Sequence, residues 1–145
     1  MGRTVSQRLE TGKQNTDRSL PFLKYRLPEN RVKQALSHEN NHELAQVGDA
    51  VLSLVIREHY YKQKISAEKI QGKNRDLGNN DYLANIAVEK LKLHDLLQSS
   101  SGLRYNPDKN EVYARTLEAI IGAIYQDNKI EAAREFIEKW IIPKK

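Results

Sequence analysis

The chain has 145 residues, 24 Lys+Arg against 19 Asp+Glu, a net charge of +5 and no cysteine. That length fits one ordinary domain, and the missing cysteine excludes a disulfide-stapled scaffold, thiolate catalysis and cysteine-ligated zinc. No run reaches the ~20 apolar residues of a membrane-spanning helix, and MGRTVSQRLETGKQ lacks the apolar core of a signal peptide, so a cytoplasmic protein without a membrane partner is expected.

The charge is uneven along the chain. Residues 1–30 carry six basic and three acidic groups, and residues 31–145 carry eighteen and sixteen. The excess is therefore largely a property of the first segment, and charge alone does not name a partner. Residues 1–20 are polar and non-periodic and read as a basic, disordered leader. Residues 21–145 read as a single domain, entered through PFLKYRLPEN between Pro21 and Pro28.

From Asn30 the pattern is helical. A short helix is expected over 31–37, with Val32, Ala35 and Leu36 at helical spacing. A long one over 41–63 carries Leu44, Val47, Val51, Leu54, Val55 and Tyr61. It is apolar almost all round from Val47 to Ile56, which predicts a central, buried helix. Ser66 is placed to cap a helix reaching Lys73. Asn79 or Asn80 caps the next, where Leu83, Ile86, Ala87 and Leu91 repeat. A short helix is expected near His94–Gln98, and SSSGLRYNPD (99–108) reads as a loop. A strongly apolar helix follows over 109–126. Another over 130–141 has Ala133, Phe136, Ile137 and Trp140 on one face. There is no convincing strand, so the fold class is all-α, a bundle of about seven helices.

Two acids stand where core helices should have none. Asp49 lies in QVGDAVLSLVI and Glu118 in ARTLEAIIGAIY. A buried, unpaired carboxylate costs several kcal/mol, so such groups are paired, protonated or metal-bound. Each has a neighbouring glycine, Gly48 and Gly122. Glycine costs about 1 kcal/mol in a helix interior, which suggests two backbones in close approach. Two such helices crossing would bring both carboxylates to one small site suited to a hard, oxygen-ligated cation such as Mg²⁺. A buried polar pairing, for instance of Glu118 with Arg115 three residues earlier, accounts for the same pattern.

These segments resemble the ribonuclease III catalytic domain. The family's signature helix, roughly N-E-R-L-E-F-L-G-D-A-V-L, is similar to Asn41-His42-Glu43-Leu44-Ala45-Gln46-Val47-Gly48-Asp49-Ala50-Val51-Leu52. Ala35-Leu36-Ser37-His38 resembles its A-L-T-H, and Asn79-Asn80-Asp81-Tyr82-Leu83-Ala84 its N-N-E-x-L-A. The second acidic helix, A-D-x-x-E-A-[IL]-[IL]-G-A-[IL]-Y, resembles Ala114 to Tyr125. The short length and the stretch Leu44 to Ala50 resemble the compact Mini-III type, which lacks a dsRNA-binding domain. The resemblance implies an all-α, homodimeric endoribonuclease that hydrolyses double-stranded RNA with Mg²⁺, for which Mn²⁺ can substitute. Asp49 and Glu118 then fall on two of four familiar carboxylate positions and become the expected catalytic and metal-binding residues. The other two positions hold Ala45 and Arg115. That departure motivates an alternative, a catalytically inactive relative that binds structured RNA or a partner subunit. Glu111 and Asp81 are the nearest replacement acids in the sequence.

His38-Glu39-Asn40-Asn41-His42 also spells H-E-x-x-H, the zincin pattern, which needs both histidines on one helix face. Asn-Asn is a poor helix interior, so a connection is expected here instead. Candidate phosphate contacts are Lys62, Lys64, Lys69, Lys73 and Arg75 around the third helix and the basic leader, with Asn74, Asn79 and Asn80 placed for sugar hydroxyls; the resemblance favours RNA contact there, with Arg115 reaching a phosphate oxygen or pairing with Glu118. Duplex RNA is read through shape, phosphates and 2′-OH groups, so no base-stacking aromatics are needed.

Overall fold

The computed structural model describes residues 21–97 and 109–144. The expected leader (1–20) and the expected loop (99–108) lie outside them. The described residues are helical, and no β-strand forms among them. After a 3₁₀ turn, Pro21–Tyr25, come α1 (Glu29–Ala35), α2 (His42–Tyr61), α3 (Ala67–Leu77), α4 (Asn80–Asn85) and α5 (Lys109–Trp140). A π turn, Ile86–Lys90, extends α4, and Leu93–Asp95 form a second 3₁₀ turn. The expected seven helices are thus five α-helices and three short turns among the described residues. The short helix expected near His94 is only the 3₁₀ turn.

Local chemistry explains most boundaries. Ser66 Oγ accepts the Lys69 N–H at 3.2 Å and starts α3, as its place in the sequence predicts. The helix runs past Lys73 because Leu77 is buried and continues its apolar face. Asn79 Oδ1 accepts the Asp81 N–H at 2.8 Å and starts α4. The repeat Leu83, Ile86, Ala87 and Leu91 is buried throughout. Helix α5 is broken at Lys129 (φ 69°, ψ −174°), between the two helical stretches expected over 109–126 and 130–141. The break is tied down by the Asn128 side-chain amide, which donates to the Tyr25 carbonyl at 2.8 Å.

Helices α2 and α5 form the most extensive pairing. Their crossing is glycine on glycine. A Cβ at Gly48 would overlap the Glu118 carbonyl and lie 3.0 Å from the Gly122 nitrogen. A Cβ at Gly122 would overlap the Leu44 carbonyl and lie 3.1 Å from the Gly48 nitrogen. Only hydrogen at both positions lets the axes come this close. Leu52, Ile56, Leu117, Ile120, Ile121 and Ile124 are fully buried in the one core cluster around this crossing. Each contributes about 1.5–3 kcal/mol of transfer free energy.

Helix α2 departs from the expected all-round burial. Gly48, Leu52, Val55 and Ile56 face inward, but Gln46, Asp49, Ala50, Arg57 and Tyr61 are exposed and Leu54 is 50% exposed. One stripe of the most apolar helix therefore faces water. No helix among the described residues is long and apolar enough to cross a membrane.

Candidate active site

The glycine crossing sets the site. Gly48 puts Asp49 beside the contact on α2, and Gly122 puts Glu118 one turn earlier on α5. The two carboxyl groups meet in a side-chain hydrogen bond, so the structure brings together the pair singled out from sequence. Their burial differs from expectation. Glu118 is half-buried, whereas Asp49 is exposed because it borders the open stripe of α2.

Desolvation pushes the Glu118 carboxyl from 4.5 up to about 8, and the hydrogen bond and negative charge of Asp49 push the same way. Two carboxyl groups this close ionise together only with difficulty, so at neutral pH the pair retains a proton. Arg115 opposes that shift through its positive charge.

Arg115 does not bond to Glu118. Its Nε donates to Asn41 Oδ1 at 3.2 Å and its Nη2 to the His38 carbonyl at 3.3 Å. Asn41 is wholly buried at the start of α2. Its Nδ2 donates to the Ala35 carbonyl at 2.9 Å and to Thr116 Oγ1 at 3.3 Å. Thr116 in turn donates to the Val112 carbonyl at 2.8 Å. Sequence reasoning misses this network, because there Asn41 is only a poor helix former and the first residue of the signature helix. Its one visible signal is a polar residue directly ahead of the buried helix. His38 packs against the same corner with a ring nitrogen, Nε2, that is buried and has no hydrogen-bond partner.

The H-E-x-x-H segment is not a helix. His38 to Asn40 lie in a turn, Asn41 precedes α2, and His42 is exposed as its first residue. Two histidines so placed share no helix face, which removes the zincin geometry. Of the replacement acids, Asp81 accepts a hydrogen bond from Asn110 at 3.0 Å, and Glu111 is exposed. Ala45 is buried and supplies no oxygen. Among the described residues, no group of three or more His, Cys, Asp or Glu is placed to hold a metal.

The expected RNA-contacting residues form a second locality. Lys69 and Lys73, one turn apart on α3, line a cleft of about 940 Å³ with His59 and Tyr60 from the end of α2 and Ile142 from the C-terminal segment. Lys73 Nζ stands 5.3 Å from the centre of the Tyr60 ring. Arg75 is exposed, with Nε 3.6 Å from Asp76. Asn79 commits its side-chain oxygen to capping α4, and Asn80 is exposed beside it. The eleven steps from Asp49 to Tyr60 correspond to roughly 16 Å of helix. The structure therefore joins Asp49, Glu118 and Arg115 in one place and sets Lys69 and Lys73 at the far end of α2.

Comparison with known proteins identifies the fold. The chain is 36% identical over 110 residues to Ribonuclease 3 of Bdellovibrio bacteriovorus, covering 72% of this chain and 46% of that protein. It is 36% identical over 118 residues to Ribonuclease 3 of Shewanella halifaxensis, covering 75% and 52%. The chain thus spans about half the length of these curated relatives. The nuclease domain of ribonuclease III from Campylobacter jejuni superposes with a TM-score of 0.71 at 31% identity, over 81% of this chain and 88% of that one. A second structure of the same domain, described as showing flexibility in a region involved in dimer formation, gives 0.71 over 78% and 85%. The Ribonuclease-III-like family model matches residues 30–145. That span includes both helices of the glycine crossing and the two acids it brings together, and the chain belongs to the Ribonuclease-III-like family.

Proposed function

We propose that the protein is a metal-dependent endoribonuclease that hydrolyses phosphodiester bonds of double-stranded RNA, working as a homodimer. The observation that carries this reading is the direct meeting of Asp49 and Glu118 across a backbone crossing that tolerates only glycine. Structural acids rarely need such a site. Perturbed carboxylate pairs in open positions are common at functional ones.

The donor set suits a divalent cation. Mg²⁺ prefers oxygen ligands and is commonly held by one or two carboxylates, with water and substrate phosphates completing its shell. Asp49 and Glu118 are the residues that would hold it, Glu118 giving up its proton to do so. When bound, it supplies a water of lowered pKa and neutralises charge on the scissile phosphate. The protein's own residues do the remaining work. Asp49, being exposed, presents its oxygens to incoming RNA. Half-buried Glu118 is kept in register by the α2–α5 crossing. Arg115 directs its remaining N–H donors at a phosphate oxygen. Lys69 and Lys73 contact the duplex backbone about 16 Å farther along α2, and Arg75 and Asn80 add further backbone contacts. Asn79 contributes through its amide nitrogen while its oxygen caps α4. The exposed stripe holding Leu54 and Tyr61 supports a second copy of the chain as partner, in keeping with the dimer-forming region described for the Campylobacter domain.

A cleavage assay on long double-stranded RNA with Mg²⁺ or Mn²⁺ tests the reading. Wild type should give short duplex products that disappear with EDTA, and Asp49→Asn should lower the rate by at least ~10³-fold. No metal-dependent product from wild type, or equal product from both proteins, would instead favour a non-catalytic protein that binds structured RNA. Ala45 and Arg115 at two acidic positions give that second reading its support.

A further inference from the structure

We propose that Arg115 is a fixed internal cation that limits the Asp49–Glu118 pair to one divalent ion, its positive charge lying one helical turn before Glu118 on α5. The inference rests on the metal-binding reading above and adds the number of ions and the residue that sets it.

The first argument is anchorage. Arg115 is a long side chain that would ordinarily swing away from an arriving cation. Here Nε is held by Asn41 Oδ1 at 3.2 Å and Nη2 by the His38 carbonyl at 3.3 Å. Asn41 is itself locked, wholly buried and bonded to Ala35 at the end of α1 and to Thr116 on α5. Moving the guanidinium would strip charge-assisted bonds from a buried amide and a carbonyl, which is costly. Three segments of the fold therefore hold the positive charge in place.

The second argument is charge balance. Ala45 is buried and brings no oxygen, Asp81 is bonded to Asn110, and no group of three or more His, Cys, Asp or Glu is placed to hold a metal among the described residues. One divalent ion slightly over-neutralises two carboxylates and a guanidinium, and a single RNA phosphate cancels the excess. A second ion would leave a large unbalanced positive charge beside a cation that is held in place.

The test counts bound ions, using the free-Mn²⁺ signal in electron paramagnetic resonance during titration of the full chain. Wild type is expected to bind one Mn²⁺ per chain, lost in Asp49→Asn. Arg115→Asp should bind two. Arg115→Gln, which can still donate to Asn41, should bind one about ten-fold more tightly because a repelling charge has gone. Arg115→Lys, keeping the charge, should stay within about three-fold of wild type. A merely structural role for Arg115 would not order the variants by charge. Circular dichroism melting checks that each variant is folded, and if Arg115→Asp is not, the Gln and Lys affinities decide. Two Mn²⁺ per wild-type chain, or identical binding by the folded Arg115 variants, overturns the inference and leaves the nuclease reading intact. No Asp49-dependent Mn²⁺ in wild type overturns the metal-binding reading itself and this inference with it.

Discussion

Glu118 carries the clearest pH signature in the molecule. Its carboxyl is raised from 4.5 to about 8, first by desolvation and then by Asp49. A carboxyl that ionises less readily folded than unfolded makes the folded state bind more protons between those two values. Its stabilising effect is therefore fully present below about pH 4.5, declines as pH rises, and is gone above about pH 8. Metal-free protein should lose urea resistance across that window. Glu118→Gln, which stays neutral, should flatten the loss and exceed wild type by on the order of 1–2 kcal/mol at pH 8, a figure reduced for partial solvation. Mg²⁺ should flatten it too, by displacing the proton. Urea midpoints at pH 5, 6.5 and 8 in EDTA measure this. Parallel curves for wild type and Glu118→Gln would mean that Glu118 does not hold its proton in the folded state.

The crossing of α2 and α5 makes a different demand, on backbone distance. A Cβ at Gly48 would strike the Glu118 carbonyl, which cannot rotate aside as a side chain would. Gly48→Ala should therefore cost about 2–3 kcal/mol despite the better helix propensity of alanine. Gly72 on α3 supplies the contrast. Its added Cβ would meet only Arg75 Nη2 at 3.6 Å, so Gly72→Ala should gain about 0.5–1 kcal/mol. Opposite signs in chemical unfolding test the assignment, and a neutral Gly48→Ala would refute the tight crossing. This part of the fold was legible in the sequence because glycine weakens an apolar helix and is kept there when a second backbone needs the space. The caps at Ser66 and Asn79 were legible for similar reasons of local chemistry, and so was the separation of the last two helical stretches. The exposed stripe of α2 was not. Ala50, Leu54 and Val51 look alike to a periodicity argument, and only the packing of α5 on one side decides which of them meets water. Nor could spacing show Arg115 turned to Asn41, since that bond joins residues 74 positions apart.

At the scale of the molecule, the described residues leave an apolar line on α2 open to solvent. Leu54 is 50% exposed and Tyr61 74% exposed, and with Ala50 and Arg57 they form a continuous line along α2. The stripe borders Asp49, so on the proposed homodimer a second copy docked here by two-fold symmetry would cover the apolar line and set its own acidic site close by. The +5 charge of the chain is modest, and most of it falls in residues 1–30; pairing two chains doubles the field presented to one duplex. In that dimer, substituting Leu54 by Glu would remove an apolar contact and bury a charge twice over, because a symmetric interface would contain the residue from each copy. Leu54→Glu should therefore raise the dimer dissociation constant by at least ~100-fold in sedimentation equilibrium. It should also roughly halve the salt dependence of duplex RNA binding, as one chain rather than two now contacts the phosphates. A wild-type protein that sediments as a monomer, or a Leu54→Glu variant that remains as dimeric as wild type, would show that the partner covering α2 is not a second copy. An unchanged salt slope in a monomeric variant would place the phosphate contacts on a single chain and separate RNA binding from pairing.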